Sequence, residues 1–189
     1  MTGIRAFFDA YRKDPDCVSS IIPSSRWLNR RVAGKIPAGA TVIVEYGPGT
    51  GVVSLELLKT LPREGTLIVI EKMQELADYL SANIKDKRVI VECDGAENAP
   101  ALVAKYGFEH VDAVVSGIPF SRIPATACAE IMENAREILG PGAPFVAYQV
   151  KPAVRRYMAP CFSNITQERV WWNIPPLLIF TGRNPASKA

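Results

Sequence analysis

The chain has 189 residues, of which 48% are hydrophobic and 22% charged, and it carries a net charge of +3. These values fit a single globular domain and exclude a disordered or fibrous chain. The four cysteines (Cys17, Cys93, Cys128 and Cys161) stand far apart and His110 is the single histidine, which argues against a disulfide framework, a zinc or other metal site and a Ser-His-Asp triad.

Charge is segregated along the chain: residues 1–35 carry +4, residues 36–149 carry −6 and residues 150–189 carry +5. Basic ends around an acidic middle suit an anionic partner, either nucleic acid or an anionic membrane surface. The expected organisation is one domain over 1–189, with an N-terminal helical extension over 1–35 and a catalytic sheet over 36–189. In the extension, Ile4, Phe7, Phe8 and Tyr11 recur at helical spacing, with Arg5, Arg12 and Lys13 elsewhere around the helix. Such a helix either packs on the sheet or lies in a membrane interface. No apolar run reaches the ~20 residues that span a bilayer, and no secretory pattern opens the chain, so a cytoplasmic location is expected.

From residue 40 onward, short apolar runs alternate with helical patterns. Strands are expected at 40–46, 66–71, 88–93, 111–117 and 143–150. Helices are expected at 51–61, 73–84, around 99–107 and at 124–139. Nearly all-apolar strands separated by helices indicate an α/β fold, a Rossmann-like parallel sheet covered on both faces. The last segments, 161–173 and 175–183, read as two strands joined by a short turn and paired antiparallel at the sheet edge, with prolines at the strand start.

Ligands of such sheets bind beyond the carboxyl ends of the strands. The first strand ends at Glu45-Tyr46, and Gly47, Gly49 and Gly51 follow, with Thr50 between the last two. Glycines there allow a tight turn and close approach of a ligand to the backbone. The loop lacks the Lys-Ser/Thr of a phosphate-binding Walker loop and the spacing of the dinucleotide fingerprint. Glu71, twenty residues after Gly51, ends the second strand and can accept from ribose hydroxyls. Asp94 ends the third strand and can accept from an adenine amino group, with a backbone N–H beside it, at Gly95-Ala96, free to donate to a ring nitrogen. An acid at each of three successive strand ends points to S-adenosyl-L-methionine, with S-adenosyl-L-homocysteine as product.

The stretches "VEYGPGTG", "VIEK", "ECDGA" and "SGIPF" resemble the ordered motifs of class I S-adenosylmethionine-dependent methyltransferases, over nearly the whole chain. The resemblance implies a mostly parallel seven-stranded sheet with an antiparallel last strand. It implies a methionine end lined by Glu45, Gly47, Gly49 and Gly51, with Tyr46 and Thr50 in the same loop. Glu71, with Lys72 beside it, would hold the ribose, and Asp94, Gly95 and Ala96 the adenine, while Ser116 would complete the cofactor site.

Two subgroups share this glycine motif. The rRNA adenine dimethyltransferases carry a motif similar to N-L-P-Y, in which an Asn grips the target amine and an aromatic stacks on the base. Aligned on its proline, this chain reads Gly117-Ile118-Pro119-Phe120. Glycine has no side chain for that grip, although Phe120 could still stack. The bacterial phospholipid N-methyltransferases, which act on phosphatidylethanolamine, carry a pattern similar to Ser116-Gly117-Ile118-Pro119. They also resemble the chain at "IIPSSRWLNRRVA" (21–33) and "VWWNIPPLLIFTGR" (170–183). That resemblance implies a phospholipid amine as acceptor and a peripheral position on the inner face of a membrane. Nucleic acid is the less favoured partner, and a small-molecule amine is a further alternative. Tyr148 and Tyr46 are candidates to bind or deprotonate the acceptor amine. Ser116 and Gly117 are expected to shape its channel, and Arg26, Arg155 and Arg156 could clamp a lipid phosphate.

Overall fold

The computed structural model describes residues 25–173 and 175–185. The amphipathic stripe at Ile4, Phe7, Phe8 and Tyr11 therefore lies outside the described residues. The elements in chain order are α1 (Arg26–Ala33), β1 (Val42–Tyr46), α2 (Val52–Leu57), β2 (Thr66–Ile70), α3 (Gln74–Asn83), β3 (Val89–Glu92), a 3-10 turn (Ala96–Asn98), α4 (Ala99–Lys105), β4 (Ala113–Ser116), α5 (Ala125–Ile138), β5 (Pro144–Gln149), α6 (Val154–Met158), β6 (Ser163–Val170) and β7 (Leu177–Arg183).

The seven strands form one sheet in the order β3-β2-β1-β4-β5-β7-β6. The first five run parallel, and β7 enters antiparallel between β5 and β6. Alternation along each strand divides the apolar side chains between two faces. Val44, Ile68, Val114 and Phe145 pack beneath α4, α5 and α6. Ile43, Leu67, Val115 and Val146 pack beneath α1, α2 and α3. Burial on both faces explains why these strands are continuous apolar runs.

Elements end short of the sequence expectation in several places. The helix expected over 51–61 stops at Leu57, because residues 58–60 turn back in a series of tight bends before Pro62. α1 falls within the expected N-terminal helical extension, whereas α6 lies where no helix is expected. α1 is capped by Ser25, whose hydroxyl accepts from the Leu28 N–H (3.2 Å), and it buries Leu28 and Val32 against the sheet. α6 is a five-residue turn of helix after β5, with Val154 and Met158 inward.

The parallel register sets the site. Tyr46 pairs with Ile70 and with Ser116, and Ile70 pairs with Glu92, so four strand tips end in one row. Gly47, Glu71, Cys93-Asp94 and Gly117 follow directly after those tips.

Candidate functional site

Beyond this row of strand tips lies a cleft of about 260 Å³. Gly47 and Gly49 form its floor. Both have φ of +59°, a region costly for a residue with a Cβ, and the Gly47 N–H donates to the Ile70 carbonyl at 2.9 Å. Gly51 serves packing instead of ligand approach: it begins α2, and a Cβ there would lie 2.7 Å from Leu80 of α3. Thr50 and Gly51 are not in the cleft wall.

Glu71 is 6% exposed and lines the cleft. Its carboxylate accepts from the Met73 N–H at 3.0 Å and also from the backbone of Gly49 and Lys72. Burial raises its pKa, and those hydrogen bonds oppose the rise. Asp94 also lines the cleft, and its Oδ1 accepts from the Gly95 N–H and from Asn98 Nδ2, each at 2.7 Å. The Asn98 hydrogen bond is the first cause holding the Asp94 carboxyl below the usual range. The Asp94 N–H donates to the Glu71 carbonyl at 3.1 Å, so one backbone link spaces the two acids. Lys72 and Ala96 are in the wall, and Lys72 Nζ lies 3.4 Å from Glu97. Gly95 is not in the wall; it starts the turn that presents Ala96.

Glu45, expected at the methionine end, is not in the cleft wall. It points to the α1–α3 face, fully buried under α2, where its Oε2 accepts from Ser54 Oγ at 2.5 Å and its Oε1 has no partner. Burial pushes this carboxyl up to about 8. Tyr46 points to the opposite face, fully buried with its hydroxyl unpartnered. It is a core residue, too deep to touch an acceptor. Ser116 is likewise buried; its hydroxyl accepts from the Ile118 N–H at 3.3 Å and braces the loop after β4 without entering the cleft. Phe120 is fully buried among the α5-face core residues, so the expectation that it could stack on a base is corrected.

Gly117 is in the cleft wall, and the Tyr148 side chain, itself outside that wall, packs against it. An added Cβ at Gly117 would lie 2.6 Å from the Gly47 carbonyl oxygen and 2.6 Å from Tyr148 Oη. The Tyr148 hydroxyl therefore occupies the volume in which a side chain at 117 would begin. Burial, then the charges of Glu45 and Glu71, drive the Tyr148 phenol well above its ordinary pKa. It stays a neutral hydroxyl, able to hydrogen-bond an amine but not to deprotonate one. Arg26, Arg155 and Arg156 are exposed and outside the cleft wall. The Arg156 guanidinium lies 4.5 Å from the Tyr157 ring centre and donates to its hydroxyl at 2.5 Å.

Sequence reasoning missed the apolar wall, formed by Ile70, Leu76, Ile118, Ile123, Ala127 and Ile131. It also missed Gln149. This buried residue accepts from the Phe120 N–H at 3.3 Å and donates to the Lys151 carbonyl at 2.5 Å, tying the loop after β4 to β5. A lone amide at the end of an apolar strand was the available signal.

The residues fit S-adenosylmethionine. An apolar wall suits adenine, Glu71 suits a ribose diol, and the acids Glu71 and Asp94 suit a cationic ligand more than an anionic one. Among the described residues no His, Cys, Asp and Glu cluster is placed to hold a metal ion. The comparisons agree with that fit. The chain superposes on the N-methyltransferase NodS of Bradyrhizobium japonicum WM9 in complex with S-adenosyl-L-homocysteine, with a TM-score of 0.68 over 94% of this chain and 97% of that one, at 14% identity. It superposes on an O-methyltransferase of Bacillus cereus in complex with SAH with the same TM-score of 0.68, over 96% and 91%, at 15% identity. The fold is that of the class I methyltransferases. In sequence, this class I methyltransferase fold is 27% identical over 174 residues, 90% of each chain, to the ornithine lipid N-methyltransferase of Singulisphaera acidiphila. No family model matches.

Proposed function

We propose that the chain is an S-adenosylmethionine-dependent N-methyltransferase acting on the amine of a lipid headgroup. The observation that carries this reading is the pairing of Gly117 with Tyr148. The place an adenine-gripping Asn would need is filled by a neutral hydroxyl, and the neighbouring aromatic, Phe120, is buried. A nucleobase loses both of its holds, whereas a primary amine needs one hydrogen-bond partner and a short channel.

When bound, S-adenosylmethionine supplies an already activated methyl group, so the protein contributes mainly alignment. Glu71 and Asp94 fix the adenosine, and the Gly47–Gly49 backbone lets the reacting end approach the strand tips. The Tyr148 oxygen accepts from an acceptor N–H and orients its lone pair. An ammonium has no such lone pair, so transfer requires the neutral amine.

Phosphatidylethanolamine is the expected headgroup. A second reading, an ornithine lipid, is favoured by the name of the relative at 27% identity. The deciding experiment offers each lipid separately, in mixed vesicles with S-adenosylmethionine, and follows the mass of the lipid. Addition of one or more methyl groups to either lipid supports the class and selects the headgroup. Methylation of free ethanolamine or ornithine with neither lipid modified would contradict it.

A further inference from the structure

The chain has three tryptophans, and Trp27, Trp171 and Trp172 stand 61%, 67% and 80% exposed. Large aromatic rings left this far in water usually mark a surface with a partner. The register places them. Gln149 of β5 pairs with Leu178, and Val170 pairs with Leu177. The turn from β6 to β7, which carries Trp171 and Trp172, therefore leaves the sheet at the same end as the cleft. Trp27 lies in the first turn of α1, and the Ser25 N–H at its start donates to Asn173 Oδ1 of that turn at 2.8 Å. All three rings thus belong to one corner of the molecule.

Charge identifies the partner. The Arg169 guanidinium lies 4.9 Å from the Trp171 ring centre. Glu168, the one acid among residues 150–189, is paired with both Arg31 and Lys35. Arg26 adjoins Trp27 at the start of α1 and Arg169 adjoins Trp171, and neither residues 25–35 nor residues 169–173 contain an acid. Exposed tryptophan beside excess cation matches the headgroup layer of an anionic bilayer, where indole rings settle at the interface and each nearby cation adds attraction. We propose that the β6–β7 turn and the first turn of α1 form a docking face for an anionic membrane surface, holding the mouth of the cleft at headgroup level. The choice of a membrane as occupant rests on the lipid-amine reading.

Because these are the tryptophans of the chain, its intrinsic tryptophan emission reports this face. Vesicles of phosphatidylglycerol and phosphatidylethanolamine should shift the emission maximum to the blue at low salt, and the shift should fade as salt rises. The W171A/W172A double variant should lose about tenfold in apparent vesicle affinity, measured by co-sedimentation. Its affinity for S-adenosylhomocysteine should be unchanged, which verifies its fold. Wild-type protein that sediments with vesicles without an emission shift would overturn the proposal. So would a double variant that binds like wild type, or a blue shift produced by RNA or a protein extract but not by vesicles. Vesicle binding through the tryptophans with no lipid methylated would leave the docking face standing and remove the substrate reading. Lipid methylation without vesicle binding would do the reverse.

Discussion

At position 117 a single added methyl group would overlap two oxygens, one of them on the backbone of the glycine loop. Gly117→Ala is therefore expected to lower methyl transfer by about 100-fold, since displacement of Tyr148 or Gly47 misplaces the reacting groups. Tyr148→Phe removes the hydroxyl without the clash, and a loss of about tenfold in kcat, with cofactor affinity unchanged, is expected from steady-state rates and a binding titration. Glu71→Ala should weaken S-adenosylhomocysteine binding by ~10- to 100-fold in calorimetry, the value of lost charge-assisted hydrogen bonds; unchanged affinity would refute the ribose assignment. Glu45 gives a pH signature. Its folded pKa, about 8, lies above the unfolded value of 4.5, so the folded state keeps a proton that the unfolded chain has released. Stability should then fall as pH rises from about 4.5 to about 8, and the melting temperature of Glu45→Gln should show a flatter slope across that window. The places of Glu71, Asp94 and Gly47 in the cleft were legible because they follow strand ends that the apolar pattern reveals. The fate of Glu45, Tyr46 and Ser116 was not. A one-residue alternation decides which side chains enter the cleft and which are buried, and the resemblance to known motifs does not resolve that.

At the scale of elements, the apolar runs predicted all seven strands and the helices between β1 and β5; for the central strands this is because burial on both faces leaves little freedom for polar residues. The short helices were less legible. α6 is five residues long, too short for a periodic pattern, and its helicity comes from docking Val154 and Met158. α1 is recognisable in retrospect by Ser25 as its cap, with Leu28 and Val32 one turn apart. Its position depends on Asn173, whose Oδ1 accepts from Ser25 N–H and whose Nδ2 donates to the Pro175 carbonyl at 3.0 Å. Asn173 is only 2% exposed. Asn173→Ala leaves both partners unmet and should cost about 1–3 kcal/mol in chemical denaturation, with α1 loosened from the β6–β7 turn. An unchanged unfolding midpoint would show that the link is dispensable.

At the scale of the whole molecule, the acidic middle of the chain forms the part of the sheet that holds the cleft, and α1 meets the β6–β7 turn through the Ser25–Asn173 hydrogen bond, with Arg31 and Lys35 paired to Glu168. An acidic pocket for a cationic cofactor opens at the end of the sheet that carries a basic, aromatic corner. No helix among the described residues is long and apolar enough to cross a membrane. The most direct measurement of the central claim incubates the protein with methyl-labelled S-adenosylmethionine and total bacterial lipid or total RNA, then separates the fractions. Label in the amine-bearing lipids and none in RNA is the expected result. Label in RNA with unlabelled lipid would contradict it.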